Sequence, residues 1–572
     1  MIKIFRFLVS CLLSGILFTV YANEPAVRFA VISDTHFGNP VALTKVPQSL
    51  KVLLSKKPVV DAIFVVGDLT NNGTREQYEQ LMSVFADKSL IPEGVTVYLM
   101  MGNNHDKTNE AGREYFLEIT GQPLRYYADI HGFPFIAFSE GGGDLNEFNK
   151  DAKQWLEKTM ADAAKKYPGK PIFSFSHVSP LNTCYGTLSS EGWGTGLFLP
   201  VYNQYPQAVV FGGHSHFPIG DPRSINQQTF TSINDGGLYY SEVAFGEITM
   251  GIHPENNNHV AEGLIVNVFS NNDIEIERWD TYRDEEILPR WKMNAPYDGS
   301  QFRYKGYNGL PVPAFASGAK LTGKQDGNRY EVTFPQATDN DVVFRYFIEF
   351  LENDKVVYSY SKFSQFYLNS EMPKVLSQTL SGLPYGKTLT PRIVAADSYN
   401  NRSEPLTGEV FTLPRYAPDR KTKLPVACSD MTTGSYLNAF SVEAKLKVTT
   451  EQQFISPFKQ TENGRPGFNK AADGRITFSV PIGKRNKTVV CPVILNAGQE
   501  YHLVATYEKA AGKLQLYVNG ALVGEETVVA TDFPVFPNDK FSLPADISVY
   551  NNALSNDEIW LLYRKSKVRD TR

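Results

Sequence analysis

Ten side chains able to hold a metal ion or move a proton fall in five short phrases of the chain's first half. "VISDTHFG" carries Asp34 and His36, and "VVGDLTNNG" carries Asp68. "MMGNNHD" carries Asn103, Asn104, His105 and Asp106, "FSFSHVSP" carries His177, and "VFGGHSHF" carries His214 and His216. Carboxylate oxygen, amide oxygen and imidazole nitrogen make a mixed, moderately hard donor set, suited to manganese, iron or zinc, with no cysteine involved. Residues two apart on a strand project to the same side, so Asp34 and His36 can face one ion, while loop-borne His214 and His216 can divide between two. A lone buried histidine is usually a satisfied core residue and a lone Gly-Asp a turn. Five such clusters in order, each closing an apolar run, point to a site.

The elements that position these clusters are legible as strand-length apolar runs between residues 26 and 276: "VRFAVIS", "AIFVVG", "VTVYLMM", "FPFIAFS", "PIFSFS", "AVVFGG" and "LIVNVF". Helical patterns lie between several of them, as expected of α/β layering. Thr74 and Gln77 read as a capping box ahead of Tyr78, Leu81, Met82 and Phe85 at helical spacing. A second helix is predicted over 149–166, with Trp155, Leu156 and Met160 on one side.

The order D-x-H, G-D, G-N-H-D, H, G-H-x-H resembles the calcineurin-like metallophosphoesterase superfamily over about residues 27–280. The resemblance implies a four-layer αββα sandwich with a site for two divalent or trivalent ions, manganese, iron or zinc. Asp34, His36, Asp68 and His216 would hold the first; Asp68, an asparagine, His177 and His214 would hold the second, with Asp68 as the bridge. It further implies hydrolysis of a phosphoester by a hydroxide shared between the metals, with His105 as general acid and Asp106 as its orienting partner. Histidine in "DTH" separates the chain from purple acid phosphatases. The phrasing "DTHFG" and "GDLTNNG" is closest to the phosphodiesterase branch, so a diester is expected rather than a monoester. The family has one asparagine between glycine and histidine where this chain has two. Asn104 is the expected ligand, because adjacency to His105 keeps ligand and acid on neighbouring atoms; Asn103 with a displaced histidine is the alternative.

The loop "LNTCYGTLSSEGWGTG" at 181–196 follows His177 and brings Tyr185 and Trp193 to the rim as candidate substrate contacts. Packing of that loop onto the sandwich is the competing reading. His253 and His259 in "GIHPENNNHV" are expected to be solvated.

At 572 residues, with 42% hydrophobic and 20% charged residues, the chain is globular and too long for one core. Four segments are read: a signal peptide at 1–22, a catalytic domain at 23–295, and β-domains at 312–415 and 424–572. In the first, Lys3 and Arg6 precede an apolar run and "VYAN" supplies small residues for cleavage, so a secreted, periplasmic or cell-surface protein is expected, with an uncleaved anchor as the alternative. "LVSC" resembles a lipoprotein box, but Cys11 sits inside the apolar run. No membrane span is expected in the mature chain.

A net charge of −5, more negative still without Lys3 and Arg6, excludes nucleic-acid binding driven by overall charge. Without Cys11 three cysteines remain, too few for a disulfide framework though enough for one bridge; Cys428 with Cys491 is the plausible pair and Cys184 a free thiol. "LSGLPYGKTLTPRIVAADSYNNRSEPL" resembles a fibronectin type III domain. "FSVEAKLKV", "YVNG" and "YNNALSNDEI" resemble the laminin G-like, concanavalin A-like jelly rolls, which implies a glycan or cell-surface ligand. The expected fold is therefore an αββα sandwich followed by two all-β sandwiches. The expected function is a secreted phosphoesterase; the alternative is an extracytoplasmic glycan- or protein-binding protein with a catalytically weak phosphoesterase domain.

Overall fold

A computed structural model describes residues 24–569 apart from 104, 107–109, 142–146, 190, 244–252, 307–310, 429–437, 452, 456–466, 471–473, 483–484 and 529–545. The segment read as a signal peptide lies outside the described residues. Among the described residues no helix is long and apolar enough to cross a membrane.

Strands β1 (Val27–Ile32), β2 (Ala62–Val66) and β3 (Thr96–Met100) pair in parallel, linked by helices α1 (Ala42–Ser55) and α2 (Arg75–Phe85). Next come α3 (Glu110–Thr120), β4 (Arg125–Ile130), β5 (Phe133–Phe138), α4 (Glu147–Lys166), β6 (Ile172–Phe175) and the short α5 (Leu199–Tyr202). The unit continues with β7 (Ala208–Gly212), β8 (Ile225–Gln227), β9 (Thr231–Asn234), β10 (Glu262–Val268), β11 (Ile274–Asp280) and β12 (Glu285–Met293). They form two six-stranded sheets, β12-β11-β10-β1-β2-β3 and β4-β5-β6-β7-β9-β8.

The sheets pack face to face. In β1, Val27, Phe29 and Val31 face the other sheet while Ala30 and Ile32 face helices, so both faces are dry and the run is apolar throughout. Phe64 stacks on Phe175 with centroids 3.9 Å apart, and Phe29 meets Phe135 edge-on at 5.1 Å. Leu50 and Leu53 of α1 with Tyr78 and Leu81 of α2 cover one outer face; Leu156 and Met160 of α4 cover the other. The result is the αββα layering that the family resemblance implies. At α2, Thr74 accepts from Gln77 N as predicted, but the Gln77 side chain accepts from Asn72 N instead of closing the box.

Gln227 Oε1 accepts from Arg303 N and Tyr304 N, so the chain stays on this unit as far as Tyr304. Beyond it, β13 (Thr322–Asp326), β14 (Arg329–Pro335) and β17 (Val375–Leu380) form a three-stranded sheet. Strands β15 (Val343–Glu352), β16 (Lys355–Phe363), β18 (Thr388–Asp397), β19 (Leu406–Thr407) and β20 (Phe411–Thr412) pair side by side and, through a Tyr360–Val493 bridge from β16, run on into the last unit as one nine-stranded sheet.

The last unit pairs β21 (Ala439–Lys447), β26 (Glu500–Glu508), β27 (Lys513–Val518), β28 (Ala521–Thr527) and β29 (Ile547–Tyr550) in a five-stranded sheet. Strands β22 (Gln453–Ile455), β23 (Gly467–Lys470), β24 (Arg475–Ile482) and β25 (Arg485–Ile494) complete the nine-stranded sheet, in which β25 adjoins β16, and α6 (Asn556–Arg569) follows β29. Both downstream units are β-sandwiches. The expected Cys428–Cys491 bridge is absent: Cys184, Cys428 and Cys491 are free. Cys428 N donates to Val549 O beside the five-stranded sheet, whereas Cys491 is buried on β25 in the other sheet.

The middle sandwich is docked on the first unit. Phe344, Phe366, Tyr367 and Leu368 pack against Tyr185, Phe217, Val243 and Val260. Ser398 Oγ donates to Asp221 Oδ2 at 2.8 Å, and Asn369 Nδ2 donates to Glu262 Oε1 at 2.7 Å. Burial pushes the Glu262 carboxyl up to about 8 from an ordinary 4.5, so the folded chain keeps it neutral where the unfolded chain ionises it. Its stabilising contribution is whole below the unfolded value and is lost as pH rises towards the folded one. The wild-type melting temperature should accordingly fall between about pH 4.5 and about pH 8, by roughly 5 °C or more, and Glu262→Gln should flatten that decline. Parallel pH profiles for the two proteins would exclude Glu262 as the cause.

Candidate metal centre

Loops leaving β1, β2 and β3 of one sheet and β6 and β7 of the other meet at one end of the sandwich, where open α/β sheets place their ligand sites. Asp34 and His36 follow β1, Asp68 follows β2, Gly102 to Asp106 follow β3, His177 follows β6, and His214 and His216 follow β7. Five of these residues sit at positive φ: Asp34 at 54°, His36 at 47°, Asp68 at 44°, His214 at 71° and His216 at 54°. That backbone region is sparsely used by residues with a side chain, and each such residue costs about 1–3 kcal/mol. Gly102 is required for a different reason: a Cβ there would collide with Asp68 Oδ1.

Three overlapping triads have ligand atoms mutually within 4.8 Å: Asp34, His36 and His216; His36, Asp68 and His105; Asp68, His177 and His214. Asp68 belongs to two of them. His177 Nε2 lies 3.2 Å from Asp68 Oδ1, and His216 Nε2 lies 3.2 Å from Asp34 Oδ1. Yet Asp34 Oδ1, Asp68 Oδ1 and His177 Nε2 are buried with no hydrogen-bond partner, an arrangement costly without a cation between them. The far side of two rings is fixed: His177 Nδ1 faces Val66 O at 2.9 Å and His216 Nδ1 faces Tyr240 O at 3.1 Å. A carbonyl there holds the proton on Nδ1 and leaves the Nε2 lone pair for a metal. The donor set therefore fits divalent metal ions.

Electrostatics agree with this fit. Burial pushes the His36 and His214 imidazoles down to about 4 and about 3, aided by neighbouring imidazoles, so both are neutral donors at pH 7. Burial opposes the charge on Asp68, but His177 beside it prevails and holds its pKa down, while His177 is raised in turn by Asp68. Without a metal, a proton on His177 balances that carboxylate; a cation would replace it. Asp235 is a residue the sequence reading missed. Burial and the nearby Asp34 raise its pKa, and Ser33 Oγ lies 2.5 Å from Asp34 Oδ2 and 2.6 Å from Asp235 Oδ1. A hydroxyl has one proton, so a protonated Asp235 lets Ser33 donate to Asp34.

In the stretch after β3, Asn103 Nδ2 lies 3.5 Å from His214 Nε2, and turning the amide over brings Oδ1 to the same place. Asn104, the ligand expected from sequence, lies outside the described residues. His105 still reaches the site, its Nε2 4.0 Å from Asp68 Oδ2. Its Nδ1 faces Asn71 O at 3.1 Å, so the backbone carbonyl of Asn71 orients the ring and not Asp106. The expected role of Asp106 is corrected on that ground. Its carboxylate is fully buried and accepts from Leu69 N, Thr70 N, Thr70 Oγ1 and Gly102 N at 2.6–3.0 Å, tying the loop after β2 to the loop after β3. Burial and the Asp68 charge push it up to about 6 despite those bonds.

Tyr185 is not at the rim. It is 1% exposed, with its ring 4.3 Å from Phe217 and 3.8 Å from the Arg223 guanidinium, so no substrate can stack on it. Trp193 does border the site, edge-on to His214 at 5.0 Å. The opposite side is walled by Tyr239, 5.2 Å from His36, and Tyr240, stacked on His216 at 4.1 Å. These tyrosines follow β9, whose four half-polar residues, "TSIN", give no strand signal. His259 is exposed, as expected; His253 is mostly exposed but pairs with the buried Glu242 at 2.9 Å.

The profile of the calcineurin-like phosphoesterase family matches residues 27–218, spanning all five ligand loops. The chain carries a calcineurin-like phosphoesterase domain. This metallophosphoesterase domain is joined to a lectin-like one, since the profile of the concanavalin A-like lectin/glucanase superfamily matches residues 422–559. No curated protein sequence matches the chain. Among solved structures, a purple acid phosphatase from yellow lupin seeds aligns at 15% identity over 50% of this chain and 58% of its own, with TM-score 0.36. The anchor in the inner membrane complex of Plasmodium aligns at 14% over 47% and 88%, with TM-score 0.33. A pentraxin from Limulus polyphemus aligns at 17% over 23% and 73%, with TM-score 0.18.

Proposed function

We propose that the protein is an extracytoplasmic phosphodiesterase that works with two metal ions and whose lectin-like unit recognises glycans. The observation that carries the catalytic part is the set of buried, unpartnered ligand atoms gathered around Asp68. In this reading Asp34, His36, Asp68 and His216 would hold one ion and Asp68, Asn103, His177 and His214 the other, with Asn103 in the place expected for Asn104. When bound, two such ions lower the pKa of water and neutralise charge on phosphoryl oxygens.

The protein's own groups do the rest. Asp106 holds two ligand loops in register, and the Val66 and Tyr240 carbonyls keep His177 and His216 in the tautomer that can coordinate. His105 is half-exposed, its Nδ1 held by the Asn71 carbonyl and its Nε2 turned to the site, where in its imidazolium form it would give a proton to the leaving oxygen. Aromatic faces on opposite sides, Trp193 beside His214 and Tyr239 with Tyr240 beside His36 and His216, suit a phosphate carrying two substituents. The sheets of the middle unit support a fibronectin type III-like spacer between enzyme and lectin-like unit. The basic, apolar start of the chain supports export.

Chelator-stripped protein should hydrolyse neither bis(p-nitrophenyl) phosphate nor p-nitrophenyl phosphate. Added manganese should restore turnover of the diester at least about tenfold better than that of the monoester. A preference for the monoester would overturn the diester assignment, and activity indifferent to chelation would overturn the metal mechanism.

A further inference from the structure

The junction of the two β-sandwiches contains a cavity of about 320 Å³, remote in sequence from every phosphoesterase loop. Its walls come from the β13–β14 hairpin and the segment after β17 on one side, and from the β27–β28 hairpin and the start of α6 on the other. The two units are pressed together there: a Cβ on Gly382 would come within 2.7 Å of Leu522 O. The walls are therefore set by packing.

Three tyrosines line this cavity, Tyr385, Tyr416 and Tyr517. Tyr385 and Tyr416 lie 4.8 Å apart and are backed by Trp560 at 5.4 and 5.2 Å, which holds both rings in place. Around them are polar groups with hydrogen bonds to spare. Among the described residues the Asn328 amide, the Ser381 hydroxyl and the Tyr385 hydroxyl make no hydrogen bond, and Asn556 uses only its oxygen, which accepts from Tyr517 at 2.8 Å. The charged side chains in the lining, Arg329 and Glu525, are opposite in sign, so the lining carries no net charge. The cavity thus offers aromatic faces, unspent donors and acceptors, and no excess charge.

That combination selects a ligand that is uncharged, apolar on one face and rich in hydroxyls around its edge. A pyranose has this form: its C–H face meets the negative face of an aromatic ring, and its hydroxyls take amide and hydroxyl partners. The volume lies within the range of small-ligand sites. We propose that this cleft binds a neutral sugar unit of a glycan, stacked against Tyr385 and Tyr416 and hydrogen-bonded by Asn328, Ser381 and Asn556. This rests on the reading of the last unit as a glycan-recognising module and moves the site from the lectin-like unit alone to its boundary with the middle sandwich.

The test uses the full chain on an array of neutral, sialylated and sulfated oligosaccharides, with Tyr385→Ala, Tyr385→Phe and Asn328→Ala alongside wild type. Melting temperature and turnover of bis(p-nitrophenyl) phosphate are measured on the same preparations. Wild type should bind a subset of neutral glycans; Tyr385→Ala and Asn328→Ala should each weaken that binding about tenfold or more, and Tyr385→Phe less, with melting and turnover unchanged. Asn328 stands at a hairpin tip, so its variant reports even if Tyr385→Ala misfolds. Neutral-glycan binding that survives in Asn328→Ala and Tyr385→Phe, or binding confined to charged glycans, would overturn this site and leave the lectin reading standing. No binding to any glycan would overturn both.

Discussion

Asp68→Ala is expected to reduce turnover of bis(p-nitrophenyl) phosphate by a factor on the order of 10³ or more and to lower bound metal from two ions per chain to fewer than one. Among the described residues, Asp68 is the carboxylate common to the triad with His36 and His105 and the triad with His177 and His214. Removing it leaves His36, His177 and His214 with Asp34 as the carboxylate still near them, and abolishes the 3.2 Å approach by which, against burial, His177 lowers the Asp68 pKa and Asp68 raises that of His177. Elemental analysis after gel filtration reads the metal, and a melting curve checks folding. A folded variant that keeps both ions would remove Asp68 from the bridging position.

The second large effect is expected within "GNNHD". Asn103→Ala should cost one of the two ions and about a hundredfold or more in turnover, whereas Asn104→Ala should keep both ions and most of the activity. His105→Ala should keep both ions yet lose about 10²–10⁴ in rate for a poorly leaving alkyl alcohol and far less for p-nitrophenolate, which departs without a proton. The signature to seek is this split between metal content and leaving-group dependence. Equal metal loss in the two asparagine variants, or the reverse order, would return the ligand to Asn104. Uniform loss across leaving groups would take the proton-donor role from His105.

What the sequence discloses here follows physical range. Each ligand cluster is legible because it closes a strand buried on both faces, and such strands are unbroken apolar runs. Asp106 is visible as a residue but not as a tie between loops, because its partners Leu69 and Thr70 are more than thirty positions away in the chain. The asparagine register is ambiguous for the same reason: His214, which Asn103 approaches, lies 111 residues on. Tyr185 has the composition of a rim residue but is covered by Phe217 and by Phe344 of another sandwich. The docking of the middle unit through Asn369 and Glu262 has no local pattern at all. Cys428 and Cys491 share a segment but not a sheet, and nearness in sequence is no guide to pairing across a sandwich.

The left-handed backbone at Asp34, His36, Asp68, His214 and His216 sets this enzyme's chemistry against its own durability. Glycine at any of these five positions would relax the chain while deleting a ligand, so selection for persistence alone would erode the site one residue at a time. A descendant freed from catalysis would be expected to melt higher than its parent and to carry glycine or asparagine where this chain carries aspartate and histidine. Keeping aspartate and histidine at all five positions therefore costs stability that a purely structural domain would not have to give up.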